Sequence, residues 1–534
     1  MEKAYEMGKT SATGSFQLLI GVALSTIIMA VGAIILGRLL TVDEYGLYGI
    51  VLIPATLINL FRDWGINSAM IKYIASLRVT NRDEEIHDVI AAGLIFEVAS
   101  GLALSFLSLA LATFIASAVF HRPESAGFIA IISVSIISGS LLAASQAVFV
   151  GFERMELNSF TIICQAIVKT AIGPVLVFLG YSVLGAVIGY SVGFIAAGII
   201  GLATFYFILF RPLRKKAMGN STITRTLKEM LRYGLPLSIA SILGGILGQF
   251  YAFIVVPVTS NTMYGNYAVA FNFAVLLTFL TTPIATVLFP AFAKLDPRNE
   301  HELVKTVYAS SIKYTSILLV PATMAMMALS GPMIGTLYGE KYVYGPFFLT
   351  IYAIGSLFAV FGSISAGGLL SGLGETRILM IQSIITLAIG LPLGVILIPM
   401  FGITGLIVAS LIAGLPSMFW GLYWIWKHYE AKADFQSSAK ILAASAMAAV
   451  VAYLPTVFLN TANWIKLIIG LVLFLTVYIF GAPLIGAICQ DDITNLRSMF
   501  SSMGIVSKIM NLPLTAAEKA ARIRSANKKT AEKP

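Results

Sequence analysis

Charge is what this sequence lacks. Only 11% of its 534 residues are Asp, Glu, Lys or Arg, against about a quarter in soluble domains. With 58% hydrophobic residues and a mean hydropathy of +0.90, most of the chain cannot face water, which excludes a soluble globular enzyme. Cysteine is scarce too. Cys164 and Cys489 are far apart and each lies in an apolar run, so a disulfide framework is excluded. The 4 histidines form no His-Glu-x-x-His or similar cluster, and no metal site is expected. No phosphate-cradling Gly-rich loop is present, so direct ATP use is not expected. The formal charge of +10 names no partner by itself, and none of nucleic-acid type is expected.

What is present is a succession of long apolar runs. A bilayer core about 30 Å thick takes about 20 apolar residues per helix. Runs of this order fall at 15–40, 45–61, 89–113, 127–150, 157–179, 185–209, 234–258, 265–288, 307–329, 347–372, 376–400, 403–425, 439–459 and 464–488. The first follows Lys3 and Lys9 and is too long for a signal-peptide core, so it reads as a retained span. Tight linkers such as Tyr181-Ser182-Val183 and Gly402-Ile403-Thr404 favour antiparallel helical hairpins. A β-barrel is excluded because the runs do not alternate with period two. The expected fold is an all-α integral membrane protein of about 14 transmembrane helices.

The runs repeat. Tyr45-Gly46-Leu47-Tyr48 returns 219 positions later as Tyr264-Gly265-Asn266-Tyr267. Gly151-Phe152-Glu153 is matched by Gly372-Leu373-Gly374-Glu375, and Gly180 and Gly185 by Gly402 and Gly405. A register held near 220 residues marks a duplicated unit of six spans. Six is even, so both copies enter from the same side as parallel repeats. The last two spans fall outside the duplication. The expected division is a segment 1–14, a six-helix lobe 15–209, a basic linker 210–233, a second six-helix lobe 234–425, helices 13 and 14 in 426–488, and a basic tail 489–534.

Lys and Arg orient the chain. Assigned to alternate loops, 30 of the 35 fall on the side of the termini and 4 (Arg38, Arg122, Lys341 and Lys466) on the other, with Lys169 inside a span. The N- and C-termini are therefore expected in the cytoplasm, and the protein in the cell membrane as a multi-pass chain. Two stretches read either as interfacial helices or as ordinary cytoplasmic connectors: Ile223 to Tyr233, with Leu227, Met230 and Leu231 against Arg225, Lys228 and Arg232, and Asn495 to Leu512, with Leu496, Met499, Phe500, Met503, Val506 and Met510 on one stripe. The final twenty residues read as disordered. Tyr45, Tyr48, Trp64, Tyr264 and Tyr267 fit an aromatic interface belt.

Gly37-Arg38-Leu39-Leu40-Thr41-Val42-Asp43-Glu44-Tyr45-Gly46-Leu47-Tyr48 resembles the first helical hairpin of the polysaccharide-biosynthesis flippases. These are the oligosaccharide-lipid translocases of the multidrug/oligosaccharidyl-lipid/polysaccharide exporter superfamily. Phe61-Arg62-Asp63-Trp64-Gly65-Ile66 is similar to the family's Phe-x-Asp-x-Gly pattern. Pro283, Pro290 and Tyr338-Gly339-Glu340-Lys341-Tyr342 add to the likeness, which covers roughly residues 10–490. The resemblance implies two six-helix lobes around a cavity, alternating access, and sugars on a polyprenyl phosphate or pyrophosphate as substrate. It also implies spans 13 and 14 flanking a groove for the lipid tail.

Charges at membrane depth are rare and mark candidate sites. Lys169 lies about 18 Å along its span at 1.5 Å per residue, near the midplane. Asn158, Thr161, Gln165 and Lys169 share one helix face by spacing, and the duplicated position near Gly390 carries no charge. An ammonium there can hold a phosphate as a point charge; a structural lysine paired with Glu97 is the alternative. Glu97 can instead carry a coupling H+ or Na+, and no other cofactor is expected. Arg38 and Arg62 suit phosphate by their fork geometry, although Asp43, Glu44 and Asp63 offer local pairing. The amides of Asn59, Gln249 and Asn272 are candidates for sugar contacts or for bonds across helices.

These residues favour a flippase moving a polyprenyl-linked glycan, with membrane lipids around it and glycosyltransferases or a polymerase as neighbours. A multidrug or organic-ion antiporter of the same superfamily is a second reading, and a membrane enzyme that polymerises or ligates lipid-linked sugars a third. The antiporter fits less well because span 1 holds no carboxylate between Ser15 and Leu40. The enzyme fits less well because the outer loops 114–126 and 330–346 are short.

Overall fold

A backbone in hydrocarbon must satisfy its own N–H and C=O groups, and helices do so within one segment. The computed structural model describes residues 2–80, 82–211, 223–277, 292, 293, 295, 299–501 and 511–522, and these are helical with no strand among them. Two compact units divide the chain, Met1–Gly265 and Asn266–Pro534. The first holds α1 (Glu2–Leu39), α2 (Val42–Asn59), α3 (Ile66–Val79), α4 (Asp83–Phe114), α5 (Ala126–Gly151), α6 (Met155–Leu176), α7 (Ser182–Phe205), α8 (Ile223–Val255) and the start of α9 (Asn261–Leu276). The second holds the rest of α9, then α10 (His301–Ala328), α11 (Ser330–Leu337), α12 (Gly345–Leu357), α13 (Ser363–Gly372), α14 (Thr376–Tyr429), α15 (Phe435–Phe458), α16 (Asn463–Ile485) and α17 (Gln490–Ser501).

Among the described residues 9 helical stretches are long and apolar enough to cross a membrane. Two of them are far longer than one crossing: Met155–Phe210 with 56 residues and Thr376–Tyr429 with 54. Left straight, each would reach about 80 Å at 1.5 Å per residue. Each is broken near its middle instead, at Ser182 (φ 48°, ψ −132°) and at Gly402 (φ 55°, ψ −128°). These two positions are 220 residues apart and share one backbone conformation, so the duplicated register is visible in the dihedral angles. Three residues on, a β-carbon on Gly185 would lie 2.8 Å from the Val177 nitrogen, and one on Gly405 would fall on the Leu397 carbonyl oxygen. A further apolar pair, α12 and α13, is bent by 55° at Gly362, the geometry of a broken span or of a re-entrant loop. The expected span 265–288 begins as α9 and runs on into residues outside the described ones.

The repeated tetrads have a packing role. Within the first unit, a β-carbon on Gly46 would collide with the Asn261 carbonyl, and one on Gly265 with the Val42 carbonyl. Val42 and Asn261, like Gly46 and Gly265, are equivalent positions 219 residues apart, so the two contacts are reciprocal and repeat-related turns face each other backbone to backbone. Tyr45, Tyr48 and Tyr264 are buried at 4%, 8% and 8% exposure, which corrects their placing in an aromatic belt; Trp64 is exposed. Asp43 accepts from the Asn261 amide and the Thr262 hydroxyl. Glu44 closes a capping box with Thr41 at the start of α2 and accepts from the Ser182 hydroxyl at 2.5 Å. Arg122, in the loop before α5, donates to the Asn261 side chain and to the carbonyls of Val256 and Thr259. In the tetrad of the second repeat, Asn266 is buried and its side-chain oxygen accepts from the N–H groups of Tyr344 and Gly345 at 2.9 Å each, fixing the start of α12.

Several segments differ from their sequence-based expectation. The stretch 62–88 contains α3, whose Ile66, Met70 and Ile74 repeat every four residues and are fully buried against Ile86, Ile90 and Phe149. The stretch Ile223 to Tyr233 is the first third of α8 and not a separate interfacial helix; Met230 is fully buried in that same core. Leu496 of α17 packs with Ile441, Phe474 and Tyr478 instead of lying on lipid; Met503, Val506 and Met510 lie outside the described residues. Of the final twenty residues, expected to be disordered, 515–522 are helical within the stretch 511–522, where Leu514, Ala517 and Ala520 are buried. Ion pairs hold this end: Lys313 to Asp492 at 2.6 Å, and Glu518 to Arg497 at 2.9 Å and to Arg522 at 2.6 Å. At the start of α15, Asp434 accepts from Gln436 N and Ser437 N; the Ser437 hydroxyl, before all else, holds its carboxyl below the usual aspartate range.

Gly405→Val places branched carbon against the Leu397 carbonyl, a site with no room to yield. Overpacking of this kind destabilises by on the order of 1–3 kcal/mol. The thermal unfolding midpoint of the purified protein in detergent should fall clearly, and Gly185→Val should behave alike. Wild-type midpoints would show that the hairpins do not depend on close backbone approach.

Candidate functional site

The end of α2 and the start of α3 are joined by a sharp turn. Trp64 (φ 48°) and Gly65 (φ 76°) both take left-handed backbone, and a β-carbon on Gly65 would collide with Gly234 of α8. Glycine is therefore required at that point for conformation and for contact. The turn aims Arg62 and Asn67 inward. Asp63 Oδ1 accepts from Asn67 N at 2.8 Å, which orients Asn67, and Asn67 Nδ2 donates to Glu97 Oε1 at 2.9 Å. Glu97, on α4, is fully buried. Arg62 Nε lies 3.8 Å from Glu97 Oε2, close enough for an ion pair but too long for a hydrogen bond.

The cluster holds unmet polarity. Asn59 Oδ1, Arg62 Nε, Asn67 Oδ1 and Glu97 Oε2 are buried and have no hydrogen-bond partner among the described residues. Each such atom costs about 1–3 kcal/mol. Four within one turn of chain and the facing helix mark a place suited to a polar guest: water, a proton, a small cation at the carboxylate, or an anionic headgroup at the guanidinium.

Lys169 does not pair with Glu97. Its ammonium sits over the Tyr190 ring of α7, 4.6 Å from the centroid, and no carboxylate lies within ion-pair distance among the described residues. Gly193 allows this approach, since a β-carbon there would lie 2.8 Å from Lys169 Cβ. Tyr190 packs on Phe194 with centroids 5.1 Å apart. Phe194 and Arg62 Nη1 both border Gly139 of α5. A line of cations and aromatic rings thus runs through the first unit, from Lys169 by Tyr190 and Phe194 to Arg62 and Glu97.

The other candidates fall in different places. Asn158 and Thr161 are buried on the Lys169 face, Gln165 is half-buried there, and Asn158 Oδ1 has no partner among the described residues. Gln249 of α8 accepts from the Thr56 hydroxyl of α2 at 3.0 Å. Arg38 is exposed at the end of α1 and does not join the cluster. Asn272 belongs to the second unit, where its amide is 3.5 Å from the Tyr338 hydroxyl. Sequence reasoning passed over Asn67 and Tyr190. Asn67 had a signal in its spacing of four from Asp63; Tyr190 had none, because its role exists only where α7 crosses α6.

Arg62→Ala leaves the Glu97 carboxylate buried without its cation, a loss of about 3–5 kcal/mol when one partner of a buried pair is removed. The unfolding midpoint should drop for Arg62→Ala and recover most of the loss in Arg62→Ala/Glu97→Leu. Equal destabilisation in single and double variants would show that the two charges do not interact.

Comparison with known sequences matches the chain to the family described as polysaccharide biosynthesis protein over residues 35–344. The probable low-salt glycan biosynthesis flippase Agl15 of Haloferax volcanii is 25% identical over 224 residues, 40% of this chain and 47% of that protein, so the chain spans about half of that relative's length. The lipopolysaccharide biosynthesis protein WzxC of Escherichia coli is 22% identical over 326 residues, 60% of this chain and 62% of that protein. Among solved structures, the lipid II flippase MurJ in an inward closed conformation superposes with a TM-score of 0.69 at 17% identity, covering 86% of this chain and 97% of that one; at this identity the likeness is one of fold. The family match extends over more than half of the chain, the fold agrees, and this multi-pass helical membrane protein belongs to the polysaccharide biosynthesis protein family.

Proposed function

We propose that the protein is a flippase carrying a polyprenyl-phosphate- or pyrophosphate-linked oligosaccharide across the cell membrane by alternating access, for cell-surface polysaccharide or glycoconjugate synthesis. The observation that carries this reading is the cationic interior of the first unit. Among the described residues Arg62 reaches Glu97 only at 3.8 Å, and Lys169 has the Tyr190 ring beside it and no carboxylate within ion-pair distance. A cation kept in a lipid-embedded interior without a counter-ion is poised for an anion. The family and the names of the relatives Agl15 and WzxC support a glycan-bearing lipid as that anion. An organic cation would be repelled by the same two residues.

In this mechanism the phosphate approaches Arg62 and Lys169 and the sugars meet the amides of Asn59, Gln165 and Gln249. Phosphate bound at Arg62 competes with Glu97 for the guanidinium. The released carboxylate then takes up a coupling proton or Na+, which links substrate entry to ion loading. The protein moves its substrate without altering it, its termini lie in the cytoplasm, and glycosyltransferases or a polymerase work beside it.

Proteoliposomes with fluorescent polyprenyl-diphosphate sugars test the reading by the rate of leaflet transfer. Lys169→Ala should abolish transfer and Lys169→Arg should keep a measurable part. Wild-type transfer by Lys169→Ala, or efflux of cationic dyes in place of transfer, would sink it. Coupling is tested separately: under an imposed pH or Na+ gradient, Glu97→Gln should transfer at a rate that no longer responds to the gradient. A gradient response equal to wild type would take Glu97 out of coupling.

A further inference from the structure

The second unit holds a cavity of about 660 Å³ between the turn that joins α10 to α12 and the α15–α16 hairpin. Its volume is in the range of ligand pockets. It opens at the end of this unit away from α17, on the side to which the basic-residue count assigns only 4 of the 35 Lys and Arg. Lys466 lines it. Its ammonium is half-buried and makes one long contact, 3.4 Å to the Thr456 carbonyl. No carboxylate lies within ion-pair distance of it among the described residues. The nearby carboxylate, Glu340, is engaged elsewhere and accepts from the Asn463 amide at 2.9 Å. Gly335 makes this bond possible, since a β-carbon there would collide with the Asn463 amide.

The rest of the lining is two-sided. Hydroxyls sit on the floor, where Ser330 and Thr350 are 3.3 Å apart. Phe347 and Tyr453, each 53% exposed, stand at the rim. In a membrane protein such a rim faces lipid chains, while the floor offers a cation, hydroxyls, an amide and a carboxylate oxygen. A hydrophobic ligand would leave the cation unmatched, and a free sugar would not need it. A phosphate that carries hydroxyls on one side and an apolar chain on the other satisfies both surfaces.

We propose that this cavity is a binding site for the phosphate-bearing, hydroxyl-rich headgroup of a lipid in the outer leaflet, with the phosphate on Lys466 and the headgroup hydroxyls on Glu340, Asn463 and the Ser330–Thr350 pair. The leaflet follows from the basic-residue count, and the transported lipid as an occupant rests on the flippase reading above. Two lipids share the chemistry: the lipid-linked glycan after its passage, and an ordinary glycerol-headed phospholipid.

The full-length protein is placed in phosphatidylcholine vesicles with one of three photoreactive probes. These are a polyprenyl-diphosphate sugar, phosphatidylglycerol, and a diacylglycerol without phosphate. Cross-linked peptides are then mapped. Label is expected within 327–350 and 453–466 from one or both phosphate probes. Lys466→Gln should reduce it by about tenfold or more, the factor that corresponds to losing one hydrogen bond to a charged group, while Lys466→Arg retains it. Asn463→Ala, which leaves the cation in place, should give an intermediate loss and keeps the test open if Lys466→Gln fails to fold. Label from the sugar probe identifies the transported lipid, and label from phosphatidylglycerol alone identifies a resident lipid; either supports the site. Equal label from diacylglycerol, or label unchanged in Lys466→Gln, overturns it. Leaflet transfer read in the same vesicles separates the two ideas. Wild-type transfer with no label in this cavity overturns the site and leaves the flippase reading standing. Lys466-dependent label by phosphatidylglycerol without any glycolipid transfer does the reverse.

Discussion

A peptide group left unpaired in hydrocarbon costs several kcal/mol, and the rest of this structure follows from that constraint. The described chain bonds to itself along helices. Variety enters where helices break and where their backbones touch. Both places use positive-φ backbone, which glycine takes freely and Ser182 only under strain, or residues with no side chain. Ser182 and Gly402 fold two over-long helices into hairpins. Gly185 and Gly405 then let the two arms close, and Gly46 with Gly265 and Gly65 with Gly234 bring carbonyls against α-carbons. Small residues at such contacts replace the hydrophobic drive that lipid cannot supply between apolar helices.

The same constraint makes charge informative. Glu97, Arg62 and Lys169 are the ionisable side chains that the first unit places along one interior line. An ion pair drawn to 3.8 Å with both facing atoms lacking hydrogen bonds is not a stabilising device; it holds polarity ready at the expense of stability. The second unit uses its charges differently. Lys313 with Asp492, and Arg497 and Arg522 with Glu518, are close pairs that fasten the C-terminal helices to the bundle.

The helical spans could be read from the sequence because run length is tied to bilayer thickness. The duplication could be read because tight hairpins admit few residue types. Amphipathic stripes were misread for a physical reason. Met230 and Leu496 present the same periodicity whether the apolar face meets lipid or protein, and here both meet protein. The helix α3 escaped notice because a stretch with four cations looks like a loop until Ile66, Met70 and Ile74 find Phe149. In the site, Glu97 and Lys169 could be picked out as charges within spans and Arg62 as the charge that closes span 2, whereas their pairing could not. Depth along separate helices allowed Glu97 with Lys169, but the turn at Trp64 and Gly65 delivered Arg62 and Asn67 to Glu97 first.

By itself the sequence determined that this is a helical membrane protein, that its two halves share one register, and which few charged residues stand within the long apolar runs. Those properties are local. They depend on transfer from water to hydrocarbon and on backbone geometry within a turn or two. Tertiary structure alone decided which charge meets which, that Lys169 rests on Tyr190, that the repeated glycines are contact points, and that Lys466 lines a cavity with no carboxylate within ion-pair distance of it among the described residues. These depend on how helices hundreds of residues apart in the chain come side by side. A one-residue rotation of about 100° on either helix would send the same side chain to lipid instead.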